Sequence, residues 1–154
     1  MTIFNSMNIS ASALTAQRLR MDVVSANMAN AETTRGQYVN GEWQPYRRKM
    51  VSLAPQSGNQ NPFSAQLSRA MNSSGTIGQG VKATALVDDM SPFKLIYQPE
   101  HPDANEEGYV SLPNVDPLRE MVDLMSASRS YEANVTTMNA SKNMLMKALE
   151  IGKG

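Results

Sequence analysis

The chain contains no cysteine, which excludes disulfide staples and thiolate metal centres. It has one histidine, which leaves little room for a conventional Ser–His–Asp relay. Charge of one sign is not in excess, because Lys+Arg and Asp+Glu both number 14. Nucleic acids and anionic membranes are held by clustered cations, so neither is expected as a partner. Nowhere do about eighteen apolar residues run together, so no membrane span is expected. The start, Met1-Thr2-Ile3-Phe4-Asn5-Ser6, lacks both a cationic n-region and an apolar h-region, and Sec export is not expected.

What the sequence does have is methionine, 12 against three phenylalanines. Met fills irregular gaps and adapts to several packing partners, which suits a surface used in many near-equivalent contacts. Residues 3 to 31 read as a helix without Gly or Pro. Met7, Leu14, Met21 and Met28 recur every seven residues, beside a neighbouring column of Ile3, Ser10, Gln17, Val24 and Ala31. That second column is weak at Ser10 and Gln17, so close multi-helix packing fits better than a two-stranded coil. Asn27, Asn30, Thr33, Thr34 and Gly36 mark the exit.

The other end is a longer helix. Asp116 is a good N-cap and Pro117 suits the first helical position, where its missing N–H costs nothing. No further Gly or Pro occurs before Gly152. About 35 residues of helix span on the order of 50 Å. Leu124, Tyr131, Met138 and Leu145 form one heptad column, with Met121, Val135 and Leu149 beside it.

Between the helices the period changes. Short strands are expected over 46–53, over 81–87, after Pro92 with Phe93, Leu95 and Tyr97 on one face, and over 109–112 entered through Gly108. Ala54 to Thr76, rich in Ser, Asn, Gln, Gly and Pro, reads as a flexible loop. The expected class is α+β: long N- and C-terminal helices packed as an antiparallel coiled-coil-like hairpin, with a small β-rich insert. The expected division is a helical piece at 1–35, the insert at 36–115 with its flexible loop at 54–76, and a second helical piece at 116–154. An insert this small cannot cover both apolar stripes. Met7, Leu14, Met21, Val24, Met28, Met121, Leu124, Tyr131, Val135, Met138, Leu145 and Leu149 are therefore expected to form an assembly seam. Helices of this kind are marginal alone and order on association.

Nothing in the sequence suggests catalysis, a cofactor or a metal. His101 lies among Glu100, Asp103, Glu106 and Glu107, but Pro99 and Pro102 bracket it and favour a rigid turn with solvated charges. Gly78-Gln79-Gly80 is a turn, not a nucleotide loop. Tyr46-Arg47-Arg48-Lys49 is too short a basic run to hold nucleic acid, and reads as an inter-subunit polar contact or a solvated strand edge. Asn27 and Asn30 admit two readings: polar groups that set register in a multi-helix contact, or simple helix caps.

Several stretches carry a likeness. Ser25-Ala26-Asn27-Met28-Ala29-Asn30 resembles the signature of the flagellar axial rod family, namely Ser, a variable residue, Asn, an aliphatic residue, Ala and Asn. The blocks from His101 to Val110, from Leu112 to Asp116 and from Ala127 to Val135 resemble the proximal-rod branch of that family. The resemblance implies a non-enzymatic subunit of the rod crossing the periplasm, part of the flagellar basal body. Its signature residues would be Ser25, Asn27, Ala29 and Asn30. It also implies export by the flagellar type III apparatus. The implied partners are copies of itself, the sister rod proteins FlgB and FlgF, and the MS-ring junction protein, with no small-molecule substrate.

Overall fold

A computed structural model of the chain describes residues 3–39, 41–56 and 80–152. Helix α1 is Ile3–Ala29, and the strands are β1 Gln37–Val39, β2 Glu42–Gln44, β3 Lys49–Pro55, β4 Val81–Asp88, β5 Lys94–Tyr97 and β6 Tyr109–Leu112. Helix α2, Pro117–Ile151, closes the sequence of elements. The two long helices pack together with a small β insert between them, as the sequence predicts.

The ends of the helices follow from local chemistry. Asp116 accepts the Leu118 N–H on its side chain at 3.2 Å and the Glu120 N–H on its carbonyl at 3.0 Å. The first bond satisfies one of the orphan donors of a helix start, and the second is the first bond of the helix ladder itself. Helix α1 stops two residues earlier than its apolar period suggests. Asn30 there turns its amide back onto the Ala26 carbonyl at 2.9 Å, and Thr33 donates to Asn30 through both its N–H and its hydroxyl. These bonds take up carbonyls that a continuing helix would use.

The strands form three two-stranded ribbons rather than one sheet: β1 with β2, β3 with β4, and β5 with β6. The antiparallel β1–β2 hairpin, not foreseen from the hydropathy pattern, sets Tyr38 opposite Trp43 with ring centroids 5.2 Å apart. Gly41 has φ +93°, the left-handed backbone that a tight hairpin turn requires and glycine adopts without penalty. The antiparallel β5–β6 ribbon pairs Tyr97 with Tyr109, again edge to face, at 5.4 Å. Ala54 and Pro55, expected in the loop, belong to β3, and most of the loop expected at 54–76 lies outside the described residues.

The chain divides into two compact units, and each long helix contributes to both. One unit draws on Met1–Arg18, Leu53–Thr84 and Arg129–Gly154, the other on Leu19–Ser52 and Ala85–Ser128. In the first, Ser10, Ala16 and Ser141 are buried, and the Ser12 hydroxyl accepts the Val81 N–H at 3.0 Å. In the second, Val24, Asn27, Val110, Pro113, Val115, Glu120 and Ala127 make the core. Neither core is large, and in the second the biggest fully buried side chain is a carboxylate, Glu120.

Candidate functional site

The second unit is organised around that carboxylate. Glu120 stands in the first turn of α2 with no exposed surface. Its Oε1 accepts from Arg48 Nε at 2.6 Å and its Oε2 accepts from Asn27 Nδ2 at 3.0 Å. A charge taken out of water must be paired and hydrogen-bonded or its burial is prohibitive. Here a guanidinium and an amide meet both oxygens.

Asn27, the first asparagine of the signature, is 1% exposed. Its Nδ2 also donates to the Lys49 carbonyl at 2.9 Å, while its Oδ1 accepts the Lys49 N–H at 2.9 Å and the Tyr46 hydroxyl at 3.0 Å. Two donor hydrogens and two lone pairs are therefore all used. Toward Lys49 the side chain offers what a neighbouring strand would offer, one acceptor and one donor to a single residue's backbone. It docks the start of β3 onto the helix. Asn27 thus lies inside α1 and is not its cap; the capping role falls to Asn30.

Arg48 fans out in three directions. Besides Glu120 it reaches Asp123 at 3.4 Å and Asp89 at 3.6 Å. Burial works against its charge, but the hydrogen bond to Glu120 and the fields of Glu120, Asp89 and Asp123 outweigh it, so the pKa of Arg48 lies above its ordinary value. Its backbone N–H donates to Asn114 Oδ1 at 2.9 Å, and Asn114 Nδ2 donates to the Asp89 carbonyl at 2.9 Å. Burial, then Asp88 and Glu120, push the Tyr46 phenol up from its usual pKa. Tyr46 and Arg48 of the Tyr46–Lys49 run are therefore tied into this unit, while Lys49 is exposed and is held by its backbone. Arg47 is also engaged, its guanidinium 4.5 Å from the centroid of Phe93.

A second tie holds the loop before β6. Arg35 Nε and Thr34 Oγ1 each donate to Asp103 at 2.7 Å, and these bonds hold the carboxyl below the usual carboxylate pKa. His101 Nδ1 accepts the Asp103 N–H at 3.1 Å, so the histidine serves the turn that its flanking prolines predict. Among the described residues no group of three or more His, Asp or Glu is placed to hold a metal.

The other residues singled out from the sequence are distributed as follows. Ser25 and Ala29 are exposed, Met28 and Asn30 half-buried. Met7, Leu14, Met21, Leu124, Tyr131, Val135, Met138 and Leu145 are half-buried, Val24 is buried, and Met121 and Leu149 are 49% and 73% exposed. Sequence reasoning gave no role to Glu120 or Asn114 and read Arg48 only as one member of a short basic run. An acid in a first turn reads as a partner of the helix dipole, and an Arg in a basic run reads as surface charge. Only their meeting in three dimensions separates them from those ordinary roles.

Comparison with known proteins agrees with this architecture. The family described as "Flagella basal body rod protein" matches residues 7–36, and "Flagellar basal body rod FlgEFG protein C-terminal" matches residues 106–151. The flagellar basal-body rod protein FlgC of Bacillus subtilis (strain 168) is 65% identical over 99% of this chain and 100% of its own length. The protein of the same name from Borreliella burgdorferi is 44% identical over the whole of both chains. That of Salmonella typhimurium is 39% identical over 99% of this chain and 100% of its own. Full-length likeness at these levels fixes both family and role: the chain belongs to the FlgC family of flagellar basal-body rod proteins, and it is a structural subunit of that rod rather than an enzyme.

Proposed function

We propose that this rod subunit builds the proximal part of the drive shaft, transmitting torque through helix-to-helix contacts with its neighbours. The supporting observation is the distribution of apolar surface on α2. Glu120, Ala127 and Ser141 are buried, while Leu118, Val122 and Met125 in one unit and Met144, Leu149 and Ile151 in the other are more than half exposed. Large apolar side chains left in water along a helix are association surfaces. Met7, Leu14, Met21, Met28, Leu124, Tyr131, Val135, Met138 and Leu145 are half-buried and retain area for further contacts. With Val24, Met121 and Leu149 they are the proposed assembly seam, and Ser25 and Ala29 present the exposed part of the rod signature.

The proposed neighbours are further copies of the chain, the sister rod proteins FlgB and FlgF, and the MS-ring junction protein. The proposed route is the flagellar type III apparatus, and the proposed location is the periplasmic rod. A subunit that is passed through an export channel and then packed into a shaft must unfold readily and gain order from its neighbours, which suits helices with little core of their own. No helix among the described residues is long and apolar enough to cross a membrane.

The deciding experiment is site-specific photocrosslinking in cells. A photoreactive residue at position 149 or 122 is expected to trap rod proteins in purified basal bodies. Capture of non-flagellar proteins only, with motility intact, would overturn the reading.

A further inference from the structure

The contacts around Asn27 do more than add together, because each of three chain segments holds the other two. Asn27 on α1 binds the Lys49 backbone and Glu120 with one amide nitrogen. Glu120 on α2 is bound by Asn27 and by Arg48, on the stretch leading into β3. Tyr46, one residue before Arg47, returns to Asn27. The cycle therefore runs from α1 to α2, from α2 to the β3 entry, and from there back to α1. All of its members lie in one compact unit.

We propose that this cycle is an interlock: the β3 entry docks only when the helix pair is closed, and the helix pair closes only when the β3 entry docks. The reason is the buried carboxylate. If Arg48 leaves while the helices stay together, Glu120 remains dry with no cation. If α1 leaves while Arg48 stays, the Lys49 N–H and carbonyl lose both their partners. The first half-closed form buries a carboxylate without its cation, and the second forfeits all four hydrogen bonds of Asn27 at once, so neither keeps enough of the cycle to compete with the closed or the fully open form. The unit consequently has an open form and a closed form and no stable intermediate. In a rod subunit this separates an unfolded, transportable chain from a closed one that carries the β1–β2 and β5–β6 ribbons in fixed positions. That use rests on the function proposed above; the coupling itself does not, and it is measured on the isolated protein.

The test is residue-resolved hydrogen exchange on the full chain, comparing Arg48→Met, Asn27→Leu and the double variant. With the interlock, Arg48→Met speeds exchange by on the order of tenfold or more at the Lys49 amide, in the last turns of α1 and in the first turn of α2 alike. The double variant is then within about twofold of the worse single one, since each change already breaks the cycle. Acceleration confined to residues 46–52, or single effects that multiply in the double variant, would overturn the proposal. If Arg48→Met does not yield folded protein, Tyr46→Phe removes only the hydroxyl to Asn27. A smaller acceleration shared by all three segments supports the interlock, and one restricted to the neighbourhood of position 46 refutes it.

Discussion

Gly36 lies directly beneath the backbone of Tyr46: a Cβ placed on it would sit 2.5 Å from Tyr46 N and 2.6 Å from Tyr46 Cα. The approach is close because the chain crosses itself there, with Gly36 N–H donating to the Gln44 carbonyl at 2.9 Å and Tyr46 N–H to the Thr33 carbonyl at 3.0 Å. The exit of α1, the β1–β2 hairpin and the Tyr46–Lys49 segment are thereby set in one piece, and any side chain at position 36 pushes Tyr46 away from Asn27.

Gly36→Ala is accordingly expected to destabilise the protein by about 1–3 kcal/mol, since backbone cannot step aside as a flexible side chain does. Gly152→Ala, whose added carbon meets nothing nearer than 3.6 Å, is the control and should stay within about 0.5 kcal/mol of the parent. Urea unfolding of the two variants checks the pair. Equal midpoints would show that the crossing at Gly36 relaxes freely.

The fork geometry of Arg48 leads to a second prediction. Its Nε and two terminal nitrogens reach Glu120, Asp123 and Asp89 separately, and its side chain is only 14% exposed. Lysine keeps the charge but presents a single point, so Arg48→Lys should lose about 1–3 kcal/mol of unfolding free energy. Arg20 meets the same Asp123 at 3.5 Å with 39% of its side chain in water. Arg20→Gln should therefore cost no more than about 1 kcal/mol, and less still in high salt. Denaturation midpoints at low and high ionic strength separate the two cases.

These residues also show which parts of the protein were legible in its sequence. Asp116 and Pro117 announce α2, and Leu124, Tyr131, Met138 and Leu145 announce one side of its packing face, because large apolar residues at a seven-residue interval leave a hydropathy signal. The companion positions Glu120, Ala127, Asn134 and Ser141 also recur every seven residues and are buried or half-buried, yet they leave none. Small and polar residues pack there because helices approach most closely over small side chains. A search for apolar columns lands instead on Met121, Val135 and Leu149. The β1–β2 hairpin carried a turn signal in Asn40-Gly41, but its three-residue strands are too short to show a period of two. Asn27 was legible as a special residue through the rod signature. Its partners were not, since Lys49 and Glu120 lie 22 and 93 residues away in sequence.

Acid and base should act on different contacts. Hydrogen bonds from Arg35 and then Thr34 lower the pKa of Asp103; those from the Ser91 hydroxyl and N–H, with the field of Arg48, lower that of Asp89. A lowered folded pKa means that the unfolded chain binds protons first. The stability these carboxylates supply is fully present above about pH 4 and is lost as pH falls through their depressed values. Tyr46 has the opposite sign: its raised pKa makes its contribution complete below about pH 10 and lost as pH rises through the folded value. For these groups stability is expected to be level between those limits. Asp103→Asn should flatten the acid limb and Tyr46→Phe the alkaline one. Thermal unfolding across the pH range provides the measurement, and an acid limb unchanged in Asp103→Asn would remove the Asp103 clasp from the account.

Folding and assembly can be separated at Leu149. It is 73% exposed near the end of α2, so replacing it by lysine removes little that the subunit uses internally. Surface changes of that kind usually alter stability by no more than about 0.5 kcal/mol. In an assembled shaft the same position is proposed to meet a neighbouring helix, where a lysine would either be buried without a partner or hold the neighbour off. Leu149→Lys is therefore expected to match the parent in circular dichroism and urea midpoint as a purified protein. In cells lacking their own copy it should fail to restore swimming and should be missing from isolated basal bodies. Ala127→Lys, at a position 1% exposed, should fail at the earlier step and lose the fold itself. Normal motility with Leu149→Lys would show that the end of α2 faces solvent in the rod, and would shift the assembly contacts to the half-buried column of Leu124, Tyr131, Met138 and Leu145.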